Sequence, residues 1–147
     1  MDDPHDRSDR FELIAATDGD VLERFADSVL AEEPDLRVLQ EPRPQLVMQR
    51  VREPVERRPF NLGEVVATPA EVSLDGARGF AMIPGKAERA AFAGAVVDAA
   101  VAADHAVTEE VVDALSRTAD AHEDERRREW AESRHTTVEF ETMEDDL

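Results

Sequence analysis

The chain has 147 residues, of which 35 are acidic and 17 basic, giving a net charge of −18, and it has no cysteine. This length suits one domain with a modest core, and the lack of cysteine excludes disulfides, a thiol nucleophile and thiolate-held zinc or iron–sulfur sites. No apolar run approaches the ~20 residues of a membrane span, and no basic stripe is present to neutralise nucleic-acid phosphates. The charged first residues also lack the apolar centre of a signal peptide. We therefore expect a cytoplasmic protein that binds neither membrane nor nucleic acid.

The acid excess has two explanations. Lys86 is the only lysine, and alanine and valine are abundant. This composition is typical of halophilic proteins, whose hydrated carboxylates keep the surface soluble. The alternative is that the acidic surface meets a basic partner.

The first third of the chain predicts a disordered tail, two helices and two strands. Residues 1–8 are polar and charged, and we expect them to be disordered. Apolar residues at helical spacing predict helices over 9–16 and about 20–33, with Thr17 or Asp18 as the N-cap of the second helix. Alternating or apolar runs at 36–40 and 46–51 predict strands, which Pro42-Arg43-Pro44 joins by a stiff turn.

A hairpin is predicted next, from strands at 62–74 and 79–83 joined at Asp75-Gly76. Pro69 cannot donate to a ladder, so it predicts a bulge or an edge strand. Helices follow over 87–103 and about 109–133. The alternating residues of 136–143 predict a final strand that adds to a sheet edge in this chain or in a partner. The expected fold is a single α+β domain over 9–143, with a small antiparallel sheet, a long helix, a C-terminal strand and an acidic fraying tail at 144–147.

Some positions are candidates for contact with another protein. Gly94, Asp98 and Ala102 lie four residues apart and share one helix face. That face permits close approach of another backbone, to which Asp98 could supply an acceptor; a structural role for Asp98 is favoured over general-base catalysis. Trp130 is the lone large apolar residue in a charged stretch, so it either anchors a partner or packs on its own domain. The remaining candidates come from the predicted terminal strand: Val138, Phe140 and Met143.

The sequence shows no recognisable active-site motif. The arginines at 50, 52, 57 and 58 either pair with nearby carboxylates or face an anionic ligand. No two of the four histidines have the spacing of a helical zinc pair, and no glycine-rich phosphate loop is present. We expect no catalytic, cofactor-binding or metal-binding residue in this chain.

A set of residues from Phe60 onward has a recognisable order and spacing. These residues are Phe60, Gly63, Glu64, Thr68, Gly79, Gly85, Asp98, Thr137, Phe140, Thr142 and Met143. Together they resemble the G subunit of the carbon–phosphorus lyase core complex, the PhnG family, and the likeness spans roughly residues 10–144. Where that family usually has Thr-Arg-Cys and Gly-Arg-Asp, this chain has Thr68-Pro69-Ala70 and Gly85-Lys86-Ala87, so roles of that Arg, Cys or Asp do not carry over.

The resemblance implies a subunit of a hetero-oligomer in phosphonate catabolism. With its partner core subunits, the family supports displacement of adenine from ATP by an alkylphosphonate, giving a ribose 1-phosphonate 5-triphosphate. The nucleosidase chemistry is associated chiefly with the I subunit, and the iron–sulfur and S-adenosylmethionine chemistry belongs to a separate subunit. The implied role is structural or assisting. The alternative is a free-standing small enzyme that acts on an anionic substrate through Asp98 and Arg50, Arg52, Arg57 and Arg58.

Overall fold

The computed structural model describes residues 3–52 and 59–145, and it describes side chains at 3–48 and 63–132. In these ranges the chain forms four helices and a four-stranded antiparallel sheet, which confirms the predicted α+β class. No helix in the described ranges is both long and apolar enough to cross a bilayer. The elements are α1 (Arg7–Ala16), α2 (Gly19–Leu30), β1 (Leu36–Gln40), β2 (Gln45–Arg52), β3 (Pro59–Leu74), β4 (Ala77–Pro84), α3 (Glu88–Ala102) and α4 (Thr108–Asp145).

The sheet is centred on β3. Its partner β4 follows through the tight turn at Asp75-Gly76, where both residues have positive φ. On the other side of β3, β1 pairs with the end of the strand and β2 pairs with its beginning. β1 and β2 therefore lie one after the other along the same side of β3, and they do not pair with each other.

This arrangement corrects two predictions about prolines. The segment Pro42-Arg43-Pro44 does not turn the chain back; it continues the path of β1 into β2 along β3. Pro69 lies in the central strand, in register with Met82 of β4, and not at a bulge or on an edge strand. It lies opposite the break between β1 and β2, where no strand needs an amide proton from β3.

The core lies between the sheet and α3. Val72, Leu74 and Ala81 point from β3 and β4 toward α3, and all three are fully buried. α3 is buried over most of its length because small side chains, mainly alanine, let it approach the strands closely. α2 packs on α3, and α1 packs on β4.

The chain ends depart from the predictions. Asp6 caps α1 by accepting a hydrogen bond from the Asp9 amide, so the helix begins at Arg7 and includes residues 7 and 8 of the predicted disordered tail. Residues 1–2 and 146–147 lie outside the described residues. The strand predicted over 136–143 is also wrong, because α4 continues to Asp145. No glycine or proline follows Gly94, so nothing in the sequence ends this helix.

Candidate functional site

The most polar constellation in the interior is an ion pair between α1 and α3. Arg10 Nε lies 2.5 Å from Asp98 Oδ1, and both side chains are almost fully buried. Arg10 Nη1 also donates to the backbone oxygens of Pro4 and His5, at 3.2 and 3.3 Å. The guanidinium is therefore held by the acid and by the turn that precedes α1.

The second oxygen of Asp98 binds the backbone of β4. Asp98 Oδ2 accepts a hydrogen bond from the Phe80 amide at 2.9 Å. Two residues earlier on the same edge, Arg7 Nη2 donates to the Arg78 oxygen at 2.7 Å. Side chains from α1 and α3 thus satisfy two backbone groups on the outer edge of β4, where another strand could otherwise pair.

This geometry supports the structural role predicted for Asp98. The side chain is only 2% exposed, and each carboxylate oxygen already has a strong donor. A general base needs an oxygen free to take the proton that it removes, and both oxygens of Asp98 accept from donors of this chain. Sequence reasoning missed Arg10, although its spacing from Leu13 and Ile14 places it on the apolar stripe of α1 and marks it as a buried cation.

The close backbone approach predicted around Asp98 takes place inside the chain. A Cβ on Gly79 would collide with the Ala95 oxygen and the Ala99 amide of α3, so β4 and α3 touch there through their backbones. A Cβ on Gly94 would lie 2.8 Å from Ile14 Cγ2. Gly94 and Asp98 are therefore covered by α1 and β4, which corrects the prediction that they face another subunit. Ala102 of the same face is exposed and stays a candidate.

A second constellation fixes the start of α3. The buried Thr68 hydroxyl donates to the Gly85 oxygen at 2.7 Å and accepts from the Ala87 amide at 3.1 Å. Ala87 occupies the cap position of α3 and has no side chain that could do this itself. Gly85 has a φ of 82°, which favours glycine. Thr68 and Gly85, two of the family-motif residues, thus act together to position the helix.

The motif residues at the beginning of β3 belong to an arm formed with β2. The pairing register shifts between Gln49 and Arg50 of β2, opposite Gly63, whose φ of 131° explains the glycine. Glu64 is exposed and pairs in register with Met48. Phe60 lies in β3 opposite Val51, and its side chain lies outside the described residues.

The described part of the chain places Asp98 far along the sheet from Arg50, one of the arginines of the alternative enzyme site. Asp98 binds β4 at Phe80, which pairs with Glu71 of β3, whereas Arg50 of β2 pairs with Asn61. Ten residues of strand separate Glu71 from Asn61, which is about 30 Å at roughly 3.3 Å per residue. The side chains of Arg50 and Arg52, and all of Arg57 and Arg58, lie outside the described residues.

One cleft lies beside the ion pair, with a volume of about 390 Å³, and Arg7, Phe11, Phe80 and Asp98 are among its lining residues. The rings of Phe11 and Phe80 stack there at 5.7 Å between centroids. Both oxygens of Asp98 are engaged by groups of this chain, and a second carboxylate, that of Glu12, also lines the cleft. The side chains described contain no group of three or more histidine or carboxylate residues that could hold a metal ion.

The second half of α4 carries the remaining interface candidates. Every residue from 121 to 132 is exposed, and Trp130 is 63% exposed. Trp130 therefore stays a candidate for an interface. Thr137, Val138, Phe140, Thr142 and Met143 lie in the helix, and their side chains are outside the described residues. In a helix, positions 138 and 140 no longer share a side, so the predicted pairing of this segment as a strand has no basis.

Comparison with known proteins identifies the family. The model of the phosphonate metabolism protein PhnG family matches residues 5–144, nearly the whole chain. The chain therefore belongs to that family, which confirms the resemblance read from its motifs. A search of curated proteins found no match.

Proposed function

We propose that this member of the PhnG family is an assisting subunit of the carbon–phosphorus lyase core complex. In this role it supports the displacement of adenine from ATP by an alkylphosphonate without supplying the reacting groups. The proposal is carried by one observation, the family match over residues 5–144. Other core subunits are its partners, and the nucleotide chemistry and the iron–sulfur and S-adenosylmethionine chemistry reside in other chains of the system.

The interior supports an assisting role. The described buried polar residues, Arg10, Thr68, Asp98 and Thr108, all bind groups of the same chain. Their hydrogen bonds hold α1, α3 and β4 together. A reacting carboxylate would have to approach a substrate, and Asp98 does not.

The surface supports a subunit. Among the large hydrophobic residues described, six are exposed, and they lie on the β1–β2 side of the sheet and on α4. Clustered exposed apolar residues mark sites of protein contact. Five of the six lie in the sheet, and Trp130 lies in the exposed stretch 121–132 of α4, so both regions offer surfaces to other subunits.

The test is assembly. The chain is expressed alone and together with the other core subunits, and the mass of the purified species is measured by native mass spectrometry. We expect a stable hetero-oligomer that contains this chain. A chain that stays alone in the presence of every core subunit would contradict the proposal and favour the free-standing enzyme.

A further inference from the structure

We propose that the outer edge of β2 is a docking site for an extended strand of a different protein chain, one that carries apolar and acidic side chains. This inference rests on the proposed function, because it assigns a surface to the partner that the proposed function requires. The strand would pair with β2 through main-chain hydrogen bonds and enlarge the sheet.

The first observation is that the two edges of this sheet differ. The outer edge of β4 is satisfied by Asp98 and Arg7, which bind the Phe80 amide and the Arg78 oxygen. β1 and β2 pair only with β3, and no described strand lies on their other side. Proteins normally block sheet edges because unpaired edges recruit other strands. Here two backbone groups of one edge are bonded to side chains, and the described residues place no strand beside the other edge.

The second observation is where the exposed apolar residues lie. Leu46 and Met48 of β2 are 66% and 50% exposed, and they alternate on one face of the strand. Val65 of β3, which pairs with Val47, is exposed on the opposite face. A strand added to β2 would place its own side chains beside both faces and cover these residues. Two further exposed apolar residues, Val38 and Leu39, lie in β1, which pairs along the same edge of β3 as β2 does.

The third observation is charge, and it selects the kind of partner. Between Leu36 and Arg52 the sequence has four of the 17 basic residues and one of the 35 acidic residues. Arg43 pairs with Glu41 and Arg37 lies 3.9 Å from Asp35. With Asp35 counted, the stretch still has four basic and two acidic residues in a chain whose net charge is −18. If two copies paired edge to edge, their arginine-bearing β2 strands would repel each other. The two chains, each with a large negative net charge, would repel each other as well. An acidic strand from a different chain complements the edge.

The test uses the complex of this chain with the other core subunits. Leu46→Glu with Met48→Glu removes the apolar contact and adds repulsion toward an acidic strand. We expect the partner subunits to bind at least about tenfold more weakly, a loss of ~1.4 kcal/mol. Leu46→Lys with Met48→Lys removes the same apolar groups but keeps the favourable charge, so it should weaken binding less. Ser28→Glu with Ala106→Glu adds the same two charges at exposed positions elsewhere and should bind as the unmodified chain does.

Hydrogen exchange supplies a readout of main-chain pairing. Amide protons in residues 45–52 should exchange more slowly in the complex than in the chain alone. The Phe80 amide, which is already bonded to Asp98, should be protected in both. Thermal melting of each variant checks that it is folded, as expected for substitutions at exposed positions.

The outcomes separate this inference from the proposed function. If the complex forms but the glutamate variant binds normally, or if residues 45–52 gain no protection, the docking site is wrong and the subunit role stands. If the chain alone dimerises and the glutamate variant abolishes the dimer, a second copy occupies the edge and the inference is overturned. If no core subunit binds the unmodified chain, the proposed function fails and the inference fails with it.

Discussion

Arg10 Nε and Asp98 Oδ1 lie 2.5 Å apart in the interior, although 88 residues separate them in the sequence. Through Asp98 Oδ2 the pair also binds the Phe80 amide. One carboxylate thus joins α1, α3 and the edge of β4. The fold depends on a buried charge that is fully compensated, and buried charges are costly when either partner is lost.

Loss of Arg10 should therefore destabilise the chain strongly. We expect Arg10→Met to lower the free energy of unfolding by ~3–5 kcal/mol, because it leaves the Asp98 carboxylate buried without its cation. Urea denaturation measures the change. Arg43→Met is the matched control, since Arg43 and Glu41 form an exposed pair, and it should cost at most ~1 kcal/mol.

A double variant tests the cause of that loss. Asp98→Asn removes the charge but keeps an oxygen that can accept from the Phe80 amide. Added to Arg10→Met, it should recover part of the stability. If the double variant is as unstable as the sum of the two single variants, the uncompensated charge is not the cause.

The two glycines at the contact between α3 and the strands should differ in how much stability is lost when each is replaced by alanine. Gly79→Ala places a methyl group against the backbone of Ala95 and Ala99, which cannot move without shifting α3. We expect it to cost at least ~1–3 kcal/mol. At Gly94 the nearest atoms are side-chain methyls of Ile14 and Ala81, and alanine favours the helix by about 1 kcal/mol. Gly94→Ala should therefore cost less than Gly79→Ala, and thermal melting of the two variants would contradict this if their order were reversed.

Parts of this fold could be predicted from local sequence. The strand at Leu36–Gln40 has the predicted bounds, and the turn at Asp75-Gly76 joins β3 and β4 as predicted. These features depend on residues close together in the chain, where alternation and turn chemistry are informative.

Other parts depend on partners that are distant in sequence or on context that local patterns lack. Pro42-Arg43-Pro44, which lies between two predicted strands, predicts a turn, but both of those strands pair with β3. Arg10 gave no sign of its partner 88 residues away. Around Val138 and Phe140 the alternation predicted a strand, but the helix that precedes them has no residue to end it. There the continuing helix outweighs the β-propensity of a few residues.

The single tryptophan can report whether α4 takes part in assembly. Trp130 is 63% exposed on a stretch where every residue is exposed. In the isolated chain its fluorescence should be quenched readily by acrylamide. If α4 docks on a core subunit, assembly should shift the emission to shorter wavelength and reduce the quenching. Unchanged emission in a complex of confirmed mass would exclude Trp130 from the interface, and Phe140→Ala would then test the end of the helix by its effect on assembly.

The central claim is that this chain assists a reaction that it does not perform, and the most direct measurement is adenine release from ATP in the presence of methylphosphonate. We expect no release by the purified chain alone. We expect release by the assembled core subunits to appear or rise when this chain is added, and Asp98→Asn, if it folds and assembles, to retain that effect because the carboxylate is structural. Turnover by the lone chain, lost in the Asp98→Asn variant, would contradict the account.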